Sequence, residues 1–295
     1  MTRTLEIVGL VVLIAGIVYS RVRVRQTTLW HVWLWGLIAA CGLLAVTLLS
    51  AADAPLSKLS ALRFAAWSLS FCPAITLLGV KRPQHIGWHA VTVSLWGILV
   101  LPAVEAVILR PGQPIELGGM RPWFLLALTL LSPVTFFAGR YGWPALVLGI
   151  AQALFFAKYL PWGELLAPWS AKCGSPLLWL IAAAVLAELQ FHRQYRTENP
   201  LDRVWLDFRD SFGLFWGLRV AERVNAAAGL LAWPFRLEWW GLMPVEGDAT
   251  AATFPAEIPP ELRTAVRGLL RRFVSHEWLA CRWPTKGETD VPLDG

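Results

Sequence analysis

The sequence predicts an all-α protein: a polytopic transmembrane helical bundle of about seven spans, followed by a small, mainly helical C-terminal region. Three observations carry this expectation. The 295-residue chain is 56% hydrophobic and only 16% charged, with a mean hydropathy of +0.53, too apolar for an ordinary water-soluble domain. Apolar runs recur at lengths that cross a hydrocarbon core of about 30 Å, because a helix rises about 1.5 Å per residue. The character of the chain then changes after Phe191: residues 192–295 hold 13 Lys and Arg against 14 Asp and Glu, while the residues before them hold 13 against 6. A transmembrane domain over 1–192 and an amphipathic-helical tail domain over 193–295 follow.

The predicted spans are residues 5–20, 29–51, 64–80, 86–109, 122–138, 143–160 and 176–191. The first follows Arg3 and precedes Arg21, Arg23 and Arg25, with no small-residue cleavage pattern after it, so it reads as a retained span. Pro122 and Pro176 stand where a first helical turn accepts proline, and Pro161 stops the sixth run. The short link GRYG at 139–142 forces the fifth and sixth helices into an antiparallel hairpin. Trp30, Trp33, Trp88, Trp123, Trp143, Trp162 and Trp179 flank the runs, as amphipathic indoles do at a headgroup layer; Trp67 and Trp96 suit the core. Positive charge sets the orientation: loops one, three and five carry Arg21, Arg23, Arg25, Lys81, Arg82 and Arg140, and Arg193 and Arg196 follow the seventh span. This predicts a multi-pass inner-membrane protein with its N-terminus outside and its C-terminus cytoplasmic.

In the tail, Asn199 can cap a helix that Pro200 starts, with Asp202 complementing its N-terminal dipole. Leu201, Trp205, Phe208, Phe212 and Phe215 form one apolar stripe, but beyond Gly213 and Gly217 the stripe passes to Leu214, Leu218, Ala221 and Val224. One straight helix cannot bury both stripes, so the sequence predicts two pieces or a bend at the glycines. The stretch PFRLEWWGL alternates weakly as a strand without an evident partner. From Pro260 a further helix places Leu262, Val266, Leu269 and Phe273 on one side and Arg263, Arg267 and Arg271 in a row on another. Such a basic amphipathic helix either lies on an anionic membrane surface or packs on the first tail helix with a solvated arginine face.

KRPQ with SLW and PA following, then WLDFRDSFGLFWGLRVAERVNAAA, WPFRLEWWG and RGLLRRFVSHEWL, resemble a family of uncharacterised multi-pass membrane proteins found in planctomycete-type bacterial genomes. The resemblance runs from about Lys81 onward. It implies a bacterial inner-membrane location and carries no activity, cofactor or catalytic residue.

Ionisable groups within the apolar runs are the first candidates for chemistry. Glu105 lies four residues before the end of the fourth run, where a glutamate reaches the interface, and Arg110 and Arg121 flank the adjoining loop, so an interfacial ion pair competes with a membrane polar site. His31 opens the second run, His85 and His89 open the fourth at i and i+4, and His192 closes the seventh one turn after Glu188. Predicted topology gathers these four histidines at one boundary, as a candidate metal or haem cluster or as interfacial imidazoles bonded to headgroups and backbone. Gln152, inside the sixth run, has an amide to satisfy against a neighbouring helix, and Ser68, Ser70, Cys72 and Cys41 let helices approach closely. No GxSxG, HExxH, GxGxxG or phosphate loop occurs, so no catalytic residue is assigned, no cofactor is expected, and the chain leans away from being an enzyme. The four cysteines show neither disulfide nor zinc spacing.

The net charge of +6 and pI near 9.5 do not indicate nucleic acid, because the excess sits in loops where insertion topology accounts for it. Expected partners are the lipid bilayer and a protein at the C-terminal tail. The leading expectation is a structural or interaction protein that anchors a cytoplasmic tail. A small-solute or ion transporter is the first alternative, and an intramembrane metal- or haem-dependent enzyme the second.

Overall fold

A computed structural model of the chain describes residues 2–52, 56–82, 85–109, 113–193, 197, 199–245 and 260–283. The chain divides into two compact units, Met1–His192 and Arg193–Gly295.

The first unit is helical throughout: α1 (Thr2–Tyr19), α2 (Arg21–Val24), α3 (Trp30–Ala51), α4 (Leu56–Ser68), α5 (Cys72–Leu77), α6 (His85–Ile108), α7 (Arg121–Phe136), α8 (Gly142–Phe156), α9 (Gly163–Lys172) and α10 (Pro176–Phe191). Every predicted run falls on helix, but the runs are not seven full-length spans. Among the described residues three segments, Arg3–Val24, Trp30–Ala51 and Gly87–Ile108, are long and apolar enough to cross a membrane. The bent pair α9 and α10, meeting at 74°, makes a fourth if it counts as one span, and α7 is a shorter apolar helix. The third predicted run corresponds to a broken element: α4 starts earlier than expected, a 3-10 turn at Leu69–Phe71 interrupts it, and Pro73 sits in the first turn of α5. Proline has no N–H to continue the α-helical ladder, and the Cys72 amide closes the tighter turn on the Leu69 carbonyl.

Around a closed interior, the bundle turns apolar side chains outward. Phe64, Phe71, Phe156, Leu10 and Leu125 are fully buried, and Phe64 meets Phe156 and Tyr159 edge to face with centroids 5.5 and 5.0 Å apart. On the outside, Val12 is 63% exposed, Val22 80%, Ile98 58% and Ile108 69%. A surface of that kind is stable against lipid and unfavourable in water. The link between α7 and α8 is tight, since a Cβ on Gly142 would lie 2.6 Å from the Phe137 carbonyl oxygen, and one on Gly149 would lie 2.5 Å from Pro133.

The second unit is built on α11 (Pro200–Leu230), the hairpin β1 (Phe235–Glu238) and β2 (Gly241–Pro244), α12 (Pro260–Leu270) and α13 (His276–Arg282). The Asn199 side chain accepts the Leu201 amide at 2.9 Å and caps α11. Gly213, with φ 75° and ψ −175°, breaks the helix where the two stripes predicted a bend. The register after the break differs from the expectation, however. Gly217, Val220, Val224 and Ala228 face the core, while Phe215 and Leu218 lie outside. The stretch PFRLEWWGL does have a strand partner, which begins within its own last two residues: Phe235–Glu238 pairs antiparallel with Gly241–Pro244, Leu237 opposite Leu242. Trp239 and Trp240 turn the hairpin, and Gly241 adopts φ 138° with its Cα against the Asp202 carboxylate.

Two side chains bind this hairpin to α11. Asn225 accepts the Leu237 amide at 2.7 Å and donates to the Leu237 carbonyl at 2.9 Å, so its amide acts as one more strand residue. Asn225→Ala leaves both backbone groups without these bonds, and the C-terminal unit is expected to lose about 2 kcal/mol, read as a lowered unfolding midpoint. Asp202 accepts the Leu242 amide at 2.9 Å, and burial raises its pKa above the ordinary 3.8 against that hydrogen bond. The folded unit therefore holds this proton more tightly than the unfolded chain does, so the group stabilises the unit below its ordinary pKa and loses that contribution as pH rises through the raised value. Asp202→Asn keeps an acceptor for Leu242. Its stability relative to the parent should rise with pH across that interval, and a pH-independent difference between the two proteins would contradict the assignment.

In the core of this unit, Phe208 stacks on Phe212 at 4.7 Å, and Phe273 closes edge-on against Phe208, Phe212 and Trp216 at 5.3, 5.4 and 5.0 Å. Leu262, Val266, Leu270 and Phe273 are buried, so Leu270 takes the core place expected of Leu269. The predicted basic helix is divided by the turn before Ser275, whose hydroxyl accepts the Trp278 amide.

Candidate functional site

Two of the four predicted histidines meet. His31, in the first turn of α3, and His89, in the second turn of α6, approach with His31 Nδ1 and His89 Nε2 2.6 Å apart and their rings edge to face. The Trp35 indole N–H donates to His89 Nδ1 at 3.4 Å. An indole N–H can only donate, which fixes the tautomers of the neutral pair: His89 carries its proton on Nε2 and donates it to His31 Nδ1, and His31 carries its own on Nε2. The arrangement is a hydrogen-bonded imidazole pair that ties α3 to α6.

It is not a preformed metal site. Two nitrogens held 2.0–2.1 Å from one tetrahedral zinc stand about 3.3 Å apart, so these rings would have to separate to admit an ion. Among the described residues no group of three or more His, Cys, Asp or Glu is placed to hold a metal. The His85 side chain lies outside the described residues, although its backbone opens α6. His192 belongs to a different cluster, with its Nε2 3.3 Å from Glu188.

Glu188 is held by a residue far away in sequence. Both guanidinium nitrogens of Arg23 donate to its two oxygens, at 2.9 and 2.8 Å, and the guanidinium lies over the Phe191 ring at 3.8 Å. This planar fork joins α2 to the end of α10, and Gly9 packs against Ile181 further along, between α1 and α10. Glu105 has a looser partner. Arg121 approaches it at 3.9 Å, with both side chains more than 40% exposed, the geometry of a weak interfacial pair.

Gln152 is fully buried and bonds across to the 3-10 turn, its Nε2 donating to the Ser70 hydroxyl at 3.0 Å and to the Ser70 carbonyl at 3.3 Å. Its Oε1 has no hydrogen-bond partner among the described residues. Thr76 and Thr92 join hydroxyls at 3.2 Å between α5 and α6. Gly42, rather than Cys41, makes the close approach near this level: its Cα faces Leu69 and Ala66, whereas Cys41 is exposed.

The most deeply buried ion pair among the described residues lies in the second unit. Arg209 and Asp210 are each 1% exposed. Arg209 donates to Asp210 Oδ1 from Nε at 3.1 Å and from a terminal nitrogen at 2.8 Å, donates to the Trp239 carbonyl at 2.8 Å, and lies over the rings of Trp239 and Trp240. Residue order does not announce this pairing, because neighbours at i and i+1 do not face each other on a regular helix. The signal that could have found them is Gly217, two turns later, whose Cα lies against the Trp239 ring and the Arg209 side chain.

The fold and these sites define a class: an all-α protein with three helices, among the described residues, long and apolar enough to cross a membrane, and a separately packed C-terminal unit. Comparison with family models, characterised proteins and solved structures finds no match that would narrow the class to one family.

Proposed function

We propose that this chain is a multi-pass protein of the bacterial inner membrane, with its N-terminus outside, that anchors its C-terminal unit on the cytoplasmic face as an interaction module. One observation carries the reading. The first unit exposes apolar side chains along its candidate spans, while the second closes a core of its own around Trp205, Phe208, Phe212 and the Arg209–Asp210 pair. An apolar bundle offers a partner little chemistry, and a separately folded unit with exposed charged and apolar side chains offers much more. The resemblance to planctomycete-type membrane proteins agrees with this location, and seven membrane passages accommodate the short and broken helices if α4 with α5, α7, α8 and the bent α9–α10 pair cross together with the three long ones.

Reporter fusions placed after residue 193 and within residues 25–29 test the topology: the first should be active in the cytoplasm and the second also, since an outside N-terminus and a single crossing by α1 bring Arg25 inside. A reporter after residue 193 that is active in the periplasm overturns the anchor reading. A transporter is the second reading, favoured by the 3-10 break beside Gln152 and by the bent helix pair, the kind of discontinuity that lines solute paths. Solute flux in proteoliposomes that is lost with Gln152→Leu would support it over the anchor. Metal at stoichiometric amounts in the purified protein, lost with His31→Phe and His89→Phe, would instead support the enzyme reading.

A further inference from the structure

We infer that the second half of α11 lies on an anionic lipid surface, and that this helix, not α12, holds the C-terminal unit to the membrane. The inference rests on the anchor reading and names what the module's exposed face meets.

Of the tail helices, α12 has the stronger amphipathic pattern. Its apolar side is already taken, since Leu262, Val266 and Leu270 are 0–2% exposed within the unit's own core. Its arginines are also engaged: Arg263 lies over the Trp283 ring at 5.1 Å, and Arg267 donates to the Trp283 carbonyl at 3.2 Å. A helix in that state has no apolar face left to insert.

The second half of α11 differs, because it is apolar on two sides. Val220, Val224 and Ala228 are buried, yet Phe215 is 44% exposed, Leu218 53% and Leu230 87%. At 3.6 residues per turn these three share one face with Arg219 and Arg223. Both arginines are exposed, and neither has an ion pair or hydrogen bond among the described residues. Glu222 lies on the same face, which leaves it one net positive charge. Bulky apolar groups interleaved with exposed guanidinium groups that outnumber the one carboxylate suit a plane of anionic headgroups over acyl chains better than a protein surface, where the excess charge would need its own acidic partner. Covalent reach allows it: from Phe191, at the end of α10, to Pro200, at the start of α11, the chain spans at most about 30 Å.

The test uses the full chain in lipid nanodiscs. Nitroxides are placed singly at Phe215→Cys, at Leu218→Cys, and at Arg236→Cys on the exposed outer side of the hairpin, in a background whose native cysteines are replaced. Collision with oxygen and with a water-soluble nickel complex then reports depth. In discs containing phosphatidylglycerol, the labels at 215 and 218 should favour oxygen and the label at 236 nickel. Phosphatidylcholine discs, or Arg219→Glu with Arg223→Glu, should shift the first two toward nickel by about fivefold per lost charge interaction. Labels at 215 and 218 as nickel-accessible as the one at 236 overturn the inference, and so does shielding from both reagents, which marks a protein contact. Failure of the chain to enter nanodiscs at all overturns the anchor reading instead. Circular dichroism of each labelled protein separates these outcomes from misfolding.

Discussion

Asp210→Ala is expected to unfold the C-terminal unit under conditions where the parent chain is intact, with a loss of about 3–5 kcal/mol. The magnitude follows from what the substitution leaves behind. Arg209 is enclosed, with a side chain 0% exposed, and its guanidinium would lose the carboxylate that two of its nitrogens meet, while the Trp239 carbonyl and two indole faces stay in place. Removing one partner strands the other charge in a low-dielectric interior, whereas replacing both with apolar groups of similar volume removes the desolvation burden too. Arg209→Met combined with Asp210→Leu should therefore recover more than half of the loss. Trypsin cleavage of the full chain in nanodiscs, mapped by mass spectrometry over residues 199–245 and 260–283, reads the opening of this unit separately from the bundle. Protection equal to the parent in Asp210→Ala would remove the pair from any role in holding α11 to the hairpin.

Trp205→Ala should cost a similar amount, about 3–5 kcal/mol, through a large cavity between α11 and the hairpin. Trp205 is 1% exposed, and its indole N–H donates to the Glu238 carbonyl at 2.9 Å, next to the tryptophan turn. Trp205→Phe separates the two contributions. It preserves most of the packing and forfeits the hydrogen bond, so it should lose about 1–3 kcal/mol. Hydrogen exchange at the Leu237 and Leu242 amides provides the readout, because both amides are tied to α11, by Asn225 and Asp202. Exchange that accelerates equally in the two variants would assign the stabilisation to the hydrogen bond rather than to the volume of the ring.

Much of the local structure could be read from residue order. The Asn199 cap, Pro200 in the first turn and the break at Gly213 each depend on groups within a few residues of one another. The hairpin was half legible: alternation marked β1, but its partner has the poor strand sequence GLMP, and pairing there depends on Gly241 reaching φ 138° beside Asp202. Among the candidate site residues, the tie between Gln152 and a neighbouring element could be anticipated from a buried amide that needs partners. That the partner is the 3-10 turn at Ser70 could not.

By itself the sequence determined the helical class, the position of the apolar runs and the ends of several helices. These depend on backbone hydrogen bonding, chain stiffness and side-chain polarity, all of which act over one or two turns. Tertiary structure alone decided that His31 meets His89 while His192 sits with Glu188, that Arg23 reaches Glu188 across 165 positions of chain, and that adjacent Arg209 and Asp210 close on each other. Those pairings depend on how far each helix is rotated about its axis and where it crosses its neighbours. A rotation of one residue turns a side chain by about 100° while leaving the pattern of apolar and polar residues along the chain unchanged.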